Sequence, residues 1–233
     1  MTCRGHNGDG QSSPPSGTFT EITAGGYHAC GVRTDGTVAC WGNDIRGQSS
    51  PPSGTFTQVS GGEAHTCGVR SDGTVACWGA NNFGESSPPA GTFTQVSAGR
   101  LYTCGRRTDG ALACWGARLG ASSPPSGTFT QVSASDNPGQ VPQHTCGVRS
   151  DGAVACWGAN DFGQSSSPSG TFTQVSAGAT HTCGLRTDGA ATCWGTGADY
   201  IRRFTTFTQV AAGASFSCGV QTSGAVDCLG KTP

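Results

Sequence analysis

Charge is what this sequence has least of. Asp, Glu, Lys and Arg make up 12% of the 233 residues, with 13 basic side chains against 14 acidic ones and a formal net charge of −1. A chain so balanced lacks the broad basic field that draws proteins onto nucleic-acid phosphates or anionic membranes, and only a local patch is left for such a contact. No apolar run approaches the length that spans a bilayer. The opening MTCRGHNGDG has neither the basic nor the apolar region of a secretion signal. A helical apolar period is missing throughout. So is any nucleophile set beside a base, any glycine-rich phosphate loop on a helix, or any carboxylate pair standing out from its surroundings. The sequence therefore predicts no enzyme and no cofactor.

What it has in quantity is Gly (39), Pro (12) and Cys (13). That mixture disfavours long helices and favours short strands joined by many turns. Length alone allows one large domain or two small ones. Self-similarity decides more. A GTFT-like segment recurs at Phe19, Phe56, Phe93, Phe129, Phe172 and Phe207, at spacings of 37, 37, 36, 43 and 35 residues. Each copy runs in one order: a strand such as TFTQVSAG, then HTCGVR, an SDG or TDG turn, TVACWG, and a connector such as ANNFGESSPPAG. Each unit reads as a small antiparallel sheet of three or four strands, too small to bury its own apolar face, so several must stack. Small sheets at this period predict an all-β fold, a β-propeller of short three- to four-stranded blades, ahead of a parallel β-helix or a string of independent modules. The expectation is a single domain over 1–233, with a partial repeat at 1–16 and complete ones at 17–53, 54–90, 91–126, 127–169, 170–204 and 205–233.

Twelve of the cysteines stand in pairs ten positions apart: Cys30 and Cys40, Cys67 and Cys77, Cys104 and Cys114, Cys146 and Cys156, Cys183 and Cys193, Cys218 and Cys228. In CGVRTDGTVAC a three-residue loop, Thr34-Asp35-Gly36, with Gly36 in the left-handed region, makes a bulged hairpin. Residues whose numbers sum to 70 then face each other, so Val32 meets Val38 and Cys30 meets Cys40 at a non-hydrogen-bonded pair, about 4.5 Å between Cα atoms. That is the short end of what a disulfide bridges. The expected bonds staple one hairpin each, and their regularity points to an oxidising compartment: extracellular, cell-surface or periplasmic. Two other readings stand beside this one. A His precedes several of the cysteines by two, as in His28-Ala29-Cys30, which admits zinc, although structural zinc sites usually carry close Cys-x-x-Cys pairs and these hairpins have none. Reduced cysteines packed as small apolar residues are the other. Cys3 aligns with the second cysteine of a unit, because TCRGHNGDGQSSPPSGTFT matches ACWGANDFGQSSSPSGTFT at 155–173. The expectation is a natural chain extending upstream, with one more hairpin, seven in all, and a secretion signal.

AGGYHACGVRTDGTVACWGNDIRGQ at 24–48 and SGGEAHTCGVRSDGTVACWGANNFGE at 60–85 resemble the regulator-of-chromosome-condensation repeat, whose short bacterial form reads A-G-x-x-H-x-C/L-x-L-x-x-D-G-x-V-x-x-W-G-x-N-x-x-G-Q. The resemblance extends over all six units and the partial first one. It implies a propeller, commonly of seven blades, closed by strands from both chain ends. Functions in the family are diverse: nucleotide exchange on a small GTPase, ultraviolet sensing through clustered tryptophans, inhibition of β-lactamase. The fold does not choose among them. The wedge and basic tail of the exchange factor have no counterpart here, and the paired cysteines place the chain nearest secreted bacterial members.

Within the repeat, Trp41, Trp78, Trp115, Trp157 and Trp194 share one slot and read as packing between blades rather than a ligand platform. His28, His65, His144 and His181 share another, taken by Tyr102 and Phe216 in the remaining units, which favours a packed, hydrogen-bonded role over catalysis. Asp35, Asp72, Asp109, Asp151 and Asp188 suit the turn before Gly. Arg33, Arg70, Arg107, Arg149 and Arg186 precede the turns and are expected on a solvated edge. Function in a repeat scaffold is expected where units depart from consensus. One such place is the insertion SASDNPGQVPQ, with Asp136, Asn137 and Gln140. The other is the connector GTGADYIRRFTT, with Tyr200, Ile201, Arg202, Arg203 and Phe204, where aromatics beside arginines have the composition of binding hot spots, though loop drift explains both equally. The expected function is a secreted or surface scaffold that presents propeller-face loops to a protein or glycan, with no nucleic-acid partner and no membrane span. A self-assembling structural protein and, by family analogy, an inhibitor or an intracellular exchange-type regulator are the alternatives.

Overall fold

The computed structural model describes residues 3, 5–117, 123–136, 143–196 and 206–230. All regular structure among them is β: six antiparallel sheets of three strands, each in sequence order. The first is β1 (Phe19–Ala24), β2 (His28–Arg33) and β3 (Val38–Gly42); the second is β4 (Phe56–Gly61), β5 (His65–Arg70) and β6 (Val75–Gly79). The third is β7 (Phe93–Ala98), β8 (Tyr102–Arg107) and β9 (Leu112–Gly116); the fourth is β10 (Phe129–Ala134), β11 (His144–Arg149) and β12 (Val154–Gly158). The fifth is β13 (Phe172–Ala177), β14 (His181–Arg186) and β15 (Ala191–Gly195), and the sixth is β16 (Phe207–Ala212), β17 (Phe216–Gln221) and β18 (Val226–Gly230). Three strands per sheet is the smaller of the two numbers the repeat allows. The sheets divide into two compact units, one of β1–β9 without Asp109–Leu112, the other of those four residues with β10–β18.

The hairpin has the register that its turn dictates. Val32 pairs with Val38 and Cys30 with Cys40. Arg33 N–H donates to Thr37 O at 2.7 Å and Gly36 N–H to Arg33 O at 2.9 Å, and Gly36 takes φ = 83°, a conformation glycine enters without steric cost. Asp35 Oδ1 accepts from both the amide (2.9 Å) and the hydroxyl (2.7 Å) of Thr37, which closes the turn and holds this exposed carboxyl below the usual range. All six cysteine pairs are disulfides with Cα–Cα distances of 4.0–4.1 Å, somewhat shorter than the turn predicts. Sulfur bonded to sulfur leaves no thiolate for zinc, so the metal reading of these pairs falls away.

Strict alternation cannot place Phe56 and Val59 on one face, because they lie three apart. A β-bulge between Phe56 and Gln58 supplies the extra residue and turns both inward. There they meet Cys30 and Val32 of the first sheet, with Trp78 closing the cluster. The same cluster forms from Cys67, Val69, Phe93, Val96 and Trp115 between the second and third sheets, and from Cys146, Val148, Phe172, Val175 and Trp194 between the fourth and fifth. The disulfides of the first, second, fourth and fifth sheets are thus internal to their hairpins yet form part of the core beneath the next sheet. Gly68 is glycine because a Cβ there would sit 2.7 Å from the Phe56 ring.

Candidate functional site

Two kinds of contact join neighbouring sheets, and both come from slots the repeat conserves. The first centres on a connector carbonyl. Gln48 O accepts from Trp78 Nε1 at 2.9 Å and from Thr66 Oγ1 at 3.0 Å. With its single hydrogen given to Gln48, the Thr66 hydroxyl accepts from His28, whose Nε2 lies 2.7 Å away. His28 is therefore the Nε2–H tautomer. Glu85 O, Trp115, Thr103 and His65 repeat the arrangement at 2.9, 3.2 and 2.8 Å, and Gln164 O, Trp194, Thr182 and His144 at 2.8, 3.0 and 2.7 Å. Burial lowers the pKa of His28, His65 and His144 to about 4, so these rings are neutral at neutral pH. Histidines and tryptophans here are structural in the sense that they fasten sheets.

The second contact is a ladder between first strands. Ala98 N–H donates to Ser60 Oγ and Ala177 N–H to Ser133 Oγ, both at 3.0 Å, beside glutamine side chains that clasp the neighbouring strand. The arginines lie at a partly solvated edge, as expected, but are engaged there. Arg70 lies over the Phe56 ring at 4.9 Å and donates from Nη1 to Ser53 O at 3.0 Å, while Trp78 meets the other part of that ring edge-on at 6.0 Å. Packing and a cation–π contact fix the guanidinium in place while part of it stays in water.

At one end of each sheet the first loop and the outgoing connector lie side by side. Asn43 N–H donates to Tyr27 O, Ala80 N–H to Ala64 O and Ala159 N–H to Gln143 O, each at 2.9 Å. Every such connector therefore departs beside the loop joining the first two strands of its sheet. The connectors are pinned. Asp44 accepts Ser49 N–H at 2.8 Å and Ser50 Oγ–H at 2.6 Å, and Gln48 Oε1 accepts Arg46 N–H at 2.8 Å. Asn81 and Glu85 do the same for Ser86 and Phe83, at 3.0 and 2.7 Å. On these fixed loops stand large apolar side chains in water: Ile45 is 84% exposed, Phe83 55% and Phe162 41%. Tyr27 and the Arg100–Glu63 ion pair, at 3.1 Å, lie at the same end of the first unit. Sequence reasoning missed Ile45, Phe83 and Phe162; the available signal was an apolar residue amid Asn, Asp, Gly and Ser.

Of the residues predicted from loop divergence, Asp136 is half-buried just past β10, next to Ser135, whose Oγ accepts His144 N–H at 3.1 Å. Asn137, Gln140, Tyr200, Ile201, Arg202, Arg203 and Phe204 lie outside the described residues. Their flanking strand ends, after β10 and after β15, are the ends from which first loops and connectors leave in every sheet.

The sequence profile described as "Regulator of chromosome condensation (RCC1) repeat" matches residues 19–48, 56–85, 142–164 and 172–200. No curated protein matches the chain. Among solved structures, the entire ectodomain of the receptor kinase CR4 from Physcomitrella patens is 26% identical at a TM-score of 0.79, over 93% of this chain and 63% of that one. The CRINKLY WD40 ectodomain of the receptor kinase ACR4 from Arabidopsis thaliana is also 26% identical, with a TM-score of 0.77, over 94% of this chain and 81% of that one. Prp20p of Saccharomyces cerevisiae, at 15% identity and a TM-score of 0.75, over 90% and 71%, shares the fold. The fold class is the β-propeller of these repeats.

Proposed function

For a chain that belongs to the regulator of chromosome condensation (RCC1) repeat family, we propose a non-catalytic scaffold that binds a protein partner through the connector end of its sheets. The observation that carries this is the pairing of rigidity with exposure. Ile45 and Phe83 stand in solvent on loops held by their own side-chain hydrogen bonds, so little ordering entropy opposes a contact made there. Large apolar groups at such positions are the stuff of hot spots. Asp136, Asn137, Gln140, Tyr200, Ile201, Arg202, Arg203 and Phe204, which depart from the repeat in sequence, are further candidates for contact in this reading, and a glycan in place of a protein is the narrower variant. An extracellular or periplasmic setting is supported by the six disulfides and by likeness to two receptor ectodomains.

Cross-linking to extracellular proteins followed by mass spectrometry identifies the partner. The double variant Ile45→Ser, Phe83→Ser is expected to weaken it roughly tenfold or more. A partner bound equally well by both forms removes the connector end from consideration. A second reading, self-assembly, is favoured by Ile22, 45% exposed in a slot where Val59 is 2% exposed. Sedimentation over a range of concentrations separates the two, because assembly needs no added partner.

A further inference from the structure

The ladder between first strands works because an amide side chain imitates a strand. Gln58 on β4 donates from Nε2 to Val96 O at 2.9 Å and accepts Val96 N–H on Oε1 at 2.7 Å. Gln131 clasps Val175 in the same way at 2.8 and 2.7 Å, and Gln174 accepts Val210 N–H at 2.9 Å. A primary amide carries donor and acceptor side by side, as the backbone does.

On β1 the slot holds Glu21. Its Oε2 accepts Val59 N–H at 3.1 Å, and among the described residues no other donor reaches the carboxyl group. An ionised carboxylate has no proton to give, so it cannot offer Val59 O the bond that Gln58 gives Val96 O. A neutral carboxylic acid can, since its O–H and C=O occupy the places of the amide N–H and C=O.

We propose that Glu21 is a proton-operated latch between the first two sheets, in which protonation converts its single hydrogen bond to Val59 into the two-bond clasp that Gln58 makes with Val96. The acid is poised for this. Burial pushes its pKa up to about 6, against the opposing pull of the Val59 N–H. The charged groups around it are otherwise engaged. On β2, His28 is committed to Thr66 and Arg33 lies over Phe19 while donating to Ser16 O. On β4 there is no titratable side chain. His6 and Asp9, in the segment before β1, bond to Gln11 Nε2 and Asn43 Nδ2. None of these is a cause of the Glu21 shift, which is burial opposed by Val59 alone. Because the folded pKa is raised, the stabilisation is fully present below the unfolded value of about 4.5 and is lost as pH rises through about 6. Tyr27 and Ile45 adjoin the first sheet, so the latch also sets how firmly part of the exposed end is held. That last consequence rests on the binding reading above; the latch does not.

The test compares the full chain with Glu21→Gln, an amide that makes both bonds at every pH. Amide exchange protection over β4 is expected to be roughly fivefold greater in the variant at about pH 7.5, the worth of one ordinary hydrogen bond. The ratio should fall to about one near pH 5. The buried histidines titrate in both proteins and cancel in the ratio. Gln58→Glu should transplant the behaviour to β7, losing protection there at neutral pH and regaining it in mild acid. A ratio for Glu21→Gln that is the same at both pH values, or that is one throughout, overturns the latch whatever partner the protein binds.

Discussion

At the scale of single residues, the His–Thr pair shows why a histidine that recurs from repeat to repeat need not be catalytic. His65 and Thr103 are both fully buried, and Thr103 passes its proton on to Glu85 O. Removing the acceptor alone strands a buried N–H. Thr103→Val, close in shape, is expected to destabilise the protein by about 1–3 kcal/mol, and adding His65→Phe to it should recover part of the loss, since deleting both partners of a buried bond is nearly neutral. Thermal or denaturant unfolding of the two single variants and the double closes this cycle. A double variant no better than the sum of the singles would show that the pair is not coupled. The pH dependence has the opposite sense to that of Glu21. These histidines have folded pKa values of about 4, lowered first by burial, against 6.5 in the unfolded chain. Their contribution is present above 6.5 and is lost as pH falls through 4. Each ring adds up to about 1.4 kcal/mol per pH unit to the steepness of acid destabilisation in that window, and His65→Phe should remove one ring's share.

At the scale of the element, the hairpin was the part most open to reading, because turn chemistry, register and cysteine pairing are all local. A three-residue loop ending in glycine fixed Cys30 opposite Cys40 before any tertiary contact was considered. The bulge at Phe56–Gln58 was hidden, since nothing in FTQVS marks which residue is the extra one. Burial of both Phe56 and Val59 is its reason, and that reason lies in another sheet. The disulfide contributes chiefly by limiting the unfolded hairpin. Cys67→Ala with Cys77→Ala is expected to lower stability by up to about 3 kcal/mol, the chain-entropy value for so short a loop, while the far-ultraviolet β signal of the folded protein stays as it was. Loss of that signal at low temperature would mean that the staple is needed to form the sheet rather than to bias it.

At the scale of the whole molecule, periodicity disclosed the stacked sheets, but what joins them was legible only in part. The shared Trp and His slots announced packing. The Gln and Ser ladder did not announce itself, because Gln58 and Val96 are 38 positions apart and nothing in QVS says that an amide will imitate a strand. The partners of the arginines were hidden for the same reason: the Phe56 face that Arg70 covers exists only once β4 and β5 have paired. Stacking also ranks the disulfides. The sulfur-bearing residues Cys30, Cys67, Cys104, Cys146 and Cys183 are fully buried. In the sixth sheet Cys218 is only half-buried, Cys228 is exposed, and nearby Val226 is 66% exposed. Thiol–disulfide exchange needs access to a sulfur. Mild reductant under native conditions should therefore open Cys218–Cys228 before the others, and alkylation with mass-spectrometric mapping over time would show it. Equal rates at all six bonds would mean that opening requires global unfolding, and that local burial protects none of them individually.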